Sequence, residues 1–149
     1  MQINVLWPMD TTQQFATNPG DGSAINNSSI AAMITAEDFS FFAAGDLEPP
    51  VQELLRADVT HVDIYKVSHH GSKYQDPEFM SLLSPAIAMI SVGAGNTYGH
   101  PAPQTVAALT RLGARVVRTD TDGAIAITAK NHRLSIKLAQ SGVHIFRLG

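Results

Sequence analysis

The chain has 149 residues, is 44% hydrophobic and carries a net charge of −3, which bounds it to one globular domain with a real core. It shows no basic footprint for long-range capture of nucleic acid, although Lys66, Lys73 and Arg118 form a local set able to meet phosphates. The absence of cysteine excludes disulfide scaffolds, thiolate zinc sites and cysteine nucleophiles. No apolar run approaches the ~20 residues that span a bilayer, so the chain reads as a soluble domain.

Met1 leads directly into Ile3-Asn4-Val5-Leu6-Trp7-Pro8, a strand-like start with no lead-in. It is expected to begin inside a longer protein. Residues 8–28 are rich in Thr, Gln, Asn, Gly and Asp and read as loop, most clearly at Asn18-Pro19-Gly20-Asp21-Gly22. Ile30 to Thr35 and Phe39 to Ala43 read as two strands about the turn Ala36-Glu37-Asp38.

Three helices follow from spacing and caps. Val51, Leu54 and Leu55 stand at i, i+3, i+4 behind Pro49-Pro50. Asp76-Pro77-Glu78 supplies a cap, a first-turn proline and an acid near the positive dipole end, ahead of Phe79, Leu82 and Leu83. Val106, Leu109 and Leu112 form a stripe that stops at Gly113. Between them lie the β-branched runs Val62 to Val67, Ala86 to Val92 and Arg115 to Arg118, so strand and helix alternate as in βαβ units with a largely parallel sheet. The tail changes character. Asp122-Gly123 opens Ala124 to Ala129, Asn131-His132 turns, and Leu134 to Leu138 and Val143 to Leu148 complete an antiparallel meander.

Polar residues at strand ends converge on one rim of such a sheet. Three strand ends qualify, at Gly45-Asp46, His69-His70-Gly71-Ser72 and Asn96-Thr97-Tyr98-Gly99-His100-Pro101. Alone, Asp46 reads as a cap or turn residue, the histidine pair as one packed and one solvated ring, and His100 as loop packing. Adjacent side chains on a strand point to opposite faces, so only one of His69 and His70 should reach a shared site unless Gly71 swings the second round. Three such loops on one rim look like a coordination set. Asp120 and Asp122 read as turn residues, His61, His132 and His144 as surface or packing, and Asn26-Asn27-Ser28 as structural. Ser72 lacks the elbow of a hydrolase nucleophile.

The order Phe42-Ala43-Ala44-Gly45-Asp46, Asp63-Ile64-Tyr65-Lys66-Val67-Ser68-His69-His70-Gly71-Ser72, Ile90-Ser91-Val92-Gly93, Asn96 to Pro101 and Arg118-Thr119-Asp120 with Gly123 resembles one family. It is the metallo-β-lactamase-like domain at the C-terminus of ComEC-type DNA-internalisation competence proteins. The likeness runs from about Val5 to about Ile127, and Leu6-Trp7-Pro8 and Asn26-Asn27-Ser28 also fit it. The resemblance implies an α/β architecture, half of a four-layer αββα fold, with a mixed sheet, flanking helices and the antiparallel meander. It further implies a metal-dependent hydrolase, a nuclease or phosphodiesterase acting on DNA during uptake, with divalent metal ions (Zn or Mn) between two half-domains. By position, Asp46 matches the metal-bridging aspartate and His69 a metal ligand. His70 and His100 take catalytic or supporting roles, and Lys73 and Ser72 substrate-facing ones.

The family's upstream His-X-His-X-Asp-His motif does not occur, since the first histidine is His61. The expectation is therefore the C-terminal half of the domain, inactive by itself and binding metal weakly or not at all. Its partners would be DNA, the other half-domain and the membrane channel of a parent protein that holds this domain on the extracytoplasmic side. An uncovered apolar face should favour self-association. Two rival readings stand beside this one: a phosphorylcholine-esterase-like hydrolase of small diesters, which shares the His-His-Gly-Ser segment, and a degenerate domain that binds without catalysis.

Overall fold

The computed structural model describes residues 1–9 and 23–140, together with the backbone of 142–147. The loop expected over Asn18 to Gly22 lies outside the described residues, as does Leu148 at the end of the last expected strand.

Six strands form the main sheet in chain order: β1 (Gln2–Trp7), β2 (Ala31–Thr35), β3 (Ser40–Ala44), β4 (Ile64–Lys66), β5 (Ile87–Ile90) and β6 (Arg115–Arg118). β1 and β3 each pair antiparallel with β2 between them, and β3 to β6 run parallel. Parallel neighbours need crossovers. These carry α2 (Pro49–Leu54) and a following turn of 3-10 helix, α3 (Pro77–Leu83) and α4 (Pro103–Arg111). A short helix, α1 (Ser23–Asn27), stands where the sequence reads as loop, ahead of β2. The sheet is thus mixed, and its antiparallel margin comes from the hairpin about residues 36–38 that the turn residues predict.

The α3 start is held as its sequence requires. The Asp76 carboxylate accepts the Phe79 N–H at 2.6 Å, with Pro77 in the first turn. Arg56 pairs with the same carboxylate, and the Asp76 N–H donates to Gln52 Oε1 at 2.6 Å. Burial opposes ionisation of Asp76, but the Arg56 and Phe79 hydrogen bonds outweigh it and hold the carboxyl below its ordinary range. α4 ends at Gly113, whose φ of 89° supplies the left-handed position past a helix.

One face of the sheet packs beneath the helices. Trp7, Phe42, Tyr65 and Ile90 meet Val51, Leu55, Phe79, Leu83 and Leu109 there, all fully buried. Phe42 and Phe79 meet edge-on at 5.6 Å. The opposite face is covered only in part. A separate antiparallel sheet of β7 (Ile125–Lys130), β8 (Arg133–Leu138) and β9 (Gly142–Arg147) lays Leu134, Ile136 and Leu138 over Ile64, Ile87 and Val117. The register places Ile3, Ile34, Phe41, Ile64 and Ile87 in one row across that face. Its β1 end is open, with Ile3 and Val5 exposed by 56% and 61%. The layers are therefore helix, sheet, sheet. Among the described residues no helix is long and apolar enough to cross a membrane.

Candidate functional site

The C-terminal ends of β3, β4 and β5 meet at one rim, and the loops that follow them line an open cleft of ≈ 460 Å³ bearing Asp46, His69, His70 and His100. The three strand-end loops thus lie together. How both adjacent histidines reach the cleft differs from the strand geometry expected of them. The strand ends at Lys66, and Ser68–Gly71 is a tight turn. His69 (φ 45°, ψ 49°) and His70 (φ 52°, ψ 26°) are both left-handed there, and Gly71 follows at φ 73°. The alternation of a strand does not apply, and both rings face one space.

Two successive left-handed residues with side chains cost roughly 1–2 kcal/mol each, so the surroundings must hold them. The buried Tyr65 hydroxyl accepts the Ser68 N–H at 3.1 Å. Ser68 Oγ donates to the Leu47 carbonyl at 2.5 Å, and the His69 N–H to the Gly45 carbonyl at 3.1 Å. Gln75 Nε2 donates to the carbonyls of Ser68 and Ser72. Gln52, fully buried, links Gln75 to the Leu47 carbonyl. From the third loop, the Ala102 N–H reaches the Gly71 carbonyl at 2.8 Å. A Cβ on Gly71 would stand 2.8 Å from Pro101 Cβ, so glycine there permits the His100 loop its close approach.

Asp46 is fixed through its backbone. Its N–H donates to Ser29 Oγ at 2.9 Å, and the preceding Gly45 carbonyl accepts from the His69 N–H and Lys66 Nζ. Burial lowers the pKa of Lys66, with the Asp46 charge opposing that shift.

The rings are oriented by unlike partners. His70 Nδ1 lies 2.7 Å from the Ser91 carbonyl, which can only accept, so Nδ1 donates there and Nε2 is the nitrogen turned toward the cleft. Nε2 stands 3.5 Å from Asp46 Oδ1, and both side chains remain accessible, at 42% and 36%. His69 Nδ1 is 3.2 Å from Glu48 Oε1 but out of line for a hydrogen bond and buried with no other partner. Glu48 is held in turn by Asn26 Nδ2 at 3.0 Å and by its own N–H to Asn27 Oδ1 at 2.8 Å. His100 stacks edge-on to His69 at 5.3 Å. Burial lowers its pKa, and the neighbouring His69 and His70 add to the shift against the pull of Asp46.

The remaining sequence candidates lie elsewhere or turn away. The Ser72 hydroxyl is buried, accepting the Tyr74 N–H and donating to the Tyr74 carbonyl. Lys73 lies over the Tyr74 ring at 5.0 Å in an adjoining cleft. Arg118 is engaged by Asp120 and its N–H by Asp122, which fixes the turn read at those acids. Sequence reasoning passed over Glu48 and Gln52. A carboxylate two residues beyond Asp46, and an amide inside an apolar helix stripe, were the signals available.

Among the described residues, no three His, Asp or Glu groups converge as a metal-holding set. The donor types nonetheless fit a divalent ion. A carboxylate and an imidazole lie side by side at the rim with a second imidazole next to them, and these are donor types that divalent ions take.

No family model matches the chain. It is similar to ComE operon protein 3 of Bacillus subtilis, 36% identical over 114 residues that cover 74% of this chain and 15% of that protein. It is also similar to Recombination protein 2 of Haemophilus influenzae, 27% identical over 119 residues, 79% of this chain and 15% of that protein. The chain thus spans about 15% of the length of the curated relatives it matches.

Proposed function

We propose that this chain is the C-terminal half of a metallo-β-lactamase-like domain and forms one wall of a metal-dependent phosphodiester-hydrolysing centre that acts on DNA in a competence protein. The observation that carries the reading is the joint placement of Asp46, His69 and His70 on one rim, with His70 turning Nε2 toward the Asp46 carboxylate at 3.5 Å. Likeness to proteins named ComE operon protein 3 and Recombination protein 2 supports the setting. The helix–sheet–sheet layering, open along β1, supports the half-domain reading, with the open face receiving the rest of the domain.

Asp46 and His70 would hold the ion, and His69, backed by Glu48, would complete this wall's contribution. A divalent ion there would polarise a phosphoryl oxygen and supply a nucleophile near neutral pH. The chain's own residues do the rest. The Ser91 carbonyl accepts the hydrogen bond of His70 Nδ1, the Gly45–Ser29 contacts hold Asp46, and His100, whose pKa burial lowers, stands on the same cleft as a proton-transfer group. This gives His70 a direct role beside His69, because its ring reaches Asp46. The remaining ligands come from outside the chain, as catalytic zinc sites use three protein ligands per metal.

The test titrates the chain with Zn²⁺ or Mn²⁺ and assays bis-p-nitrophenyl phosphate. Weak binding that Asp46→Ala and His70→Ala abolish, without turnover, is the expected result. Binding indifferent to both substitutions would contradict the metal reading, and turnover abolished by Asp46→Ala would contradict the half-site.

A further inference from the structure

A second cleft adjoins the first. It measures ≈ 560 Å³ and carries Lys73, Tyr74 and Tyr98 on its walls. His69, Tyr98 and His100 line both clefts, so whatever occupies the second lies against the candidate hydrolytic site. Two aromatic rings are accessible here: Tyr98 is exposed by 84%, and Tyr74 by 54% with Lys73 over one side of its ring. Tyr98 is presented by a braced loop, since Asn96 Oδ1 accepts the Tyr98 N–H at 2.9 Å and the His100 N–H at 3.4 Å. The braced loop thus holds a largely exposed ring beside the cleft, and an aromatic face can stack on a planar ligand.

Charge narrows the ligand further. The chain is net negative, and the Glu48 carboxylate lies on the wall of the same cleft as the Lys73 ammonium. Phosphate attraction alone is weak in that setting, because each phosphate contact needs a cation to neutralise it. Ring faces supply what the charges do not. A base inside a duplex has both faces covered, whereas an unstacked base offers one to an aromatic side chain.

We propose that this second cleft is a base-stacking subsite for single-stranded nucleic acid, with Tyr98 and Tyr74 as platforms and Lys73 meeting an adjacent phosphate. The proposal rests on the phosphodiester reading for its choice of a polynucleotide. It adds that the strand is gripped by its bases beside the cleavage site, independently of sequence. Gln104, on the same wall, offers an amide to a base edge without imposing a choice among bases.

The experiment measures fluorescence anisotropy of the full chain with a labelled oligothymidylate of about ten nucleotides, and with an abasic strand of equal length and charge. The thymidylate should bind several-fold more tightly than the abasic strand. Tyr98→Ala should weaken thymidylate binding roughly 5- to 100-fold and Tyr98→Trp should preserve it, since stacking needs only a ring face. The abasic strand should respond to neither. Equal affinity for the two strands, no effect of Tyr98→Ala, or no binding of thymidylate would each overturn the subsite, the last leaving the exposed rings to a protein partner. Zn²⁺ affinity measured on the same variants separates the two readings. It should be untouched by Tyr98→Ala, and its loss in Asp46→Ala bears on the metal centre alone.

Discussion

Gly45→Ala should displace Asp46, and its cost can be worked from contacts. A Cβ on Gly45 would stand 2.4 Å from Ser29 Cβ and 2.8 Å from Ser29 Oγ. Carbon atoms rest at about 3.5–4.0 Å, so Ser29 or the Asp46 turn must give by roughly 1 Å or more. Overpacking on that scale costs about 1–3 kcal/mol, and losing the Asp46 N–H bond to Ser29 Oγ adds about 0.5–1.5 kcal/mol. Gly45 lies outside the positive-φ region, so contact alone sets the penalty. Ser29→Gly removes both obstructing atoms and should itself cost only the lost hydrogen bond and some backbone entropy. The double variant should therefore be more stable than Gly45→Ala alone, a coupling of opposite sign to the single penalties. Urea midpoints followed by the fluorescence of Trp7, fully buried and bonded to the Asn27 carbonyl at 2.7 Å, measure all four species. A double variant at least as unstable as the sum of its parents would refute the contact argument.

Three further expectations follow from the same framework. Asp76→Ala should destabilise by about 1–2 kcal/mol at neutral pH through loss of the α3 cap. Because the folded state holds the Asp76 carboxyl below its ordinary pKa, its contribution is fully present above about pH 4 and is lost as pH falls through the depressed value. The gap in urea midpoint between wild type and variant should narrow on acidification, and a gap independent of pH would count against the assignment. Tyr65→Phe should cost about 1–3 kcal/mol by leaving the Ser68 N–H unpaired in a buried place. It should also speed hydrogen exchange across Ser68 to Gly71, whereas unchanged exchange there would deny Tyr65 its bracing role. Glu48→Gln removes the carboxylate charge that faces His69 Nδ1 and should weaken Zn²⁺ binding with little change in urea midpoint, as read by chelator competition, and unchanged affinity would detach Glu48 from His69.

Much of the scaffold is legible in the chain because its signals are local. Asp76-Pro77-Glu78 starts a helix through its own N–H groups, Gly113 ends one, and apolar runs that give way to the loops at Gly45, Ser68 and Gly93 mark the rim. Strand ends were less legible. The run to Val67 continues the apolar pattern, and the Val67 N–H still donates to the Met89 carbonyl at 2.8 Å, but the strand pairing ends at Lys66 and Ser68 is drawn off by Tyr65 and Leu47. Val92 likewise leaves its ladder, exchanging hydrogen bonds with the Thr119 hydroxyl. The reach of both histidines into one cleft depends on donors and acceptors more than 20 residues distant, such as Gly45, Leu47 and Ser91. No periodicity reports such partners. The meander was visible from its turns, but its lodging as a second sheet over Ile64, Ile87 and Val117 depends on which face of the main sheet the helices leave open.

The central claim is that Asp46, His69 and His70 form one wall of a metal site. Nitrogen-resolved NMR of the imidazole rings during Zn²⁺ titration tests it most directly. The account predicts that Nε2 of His70 moves first, together with a ring nitrogen of His69, that His61 and His132 stay still, and that Asp46→Ala suppresses the response. Shifts confined to His61 or His132, or a His70 response unchanged by Asp46→Ala, would contradict it.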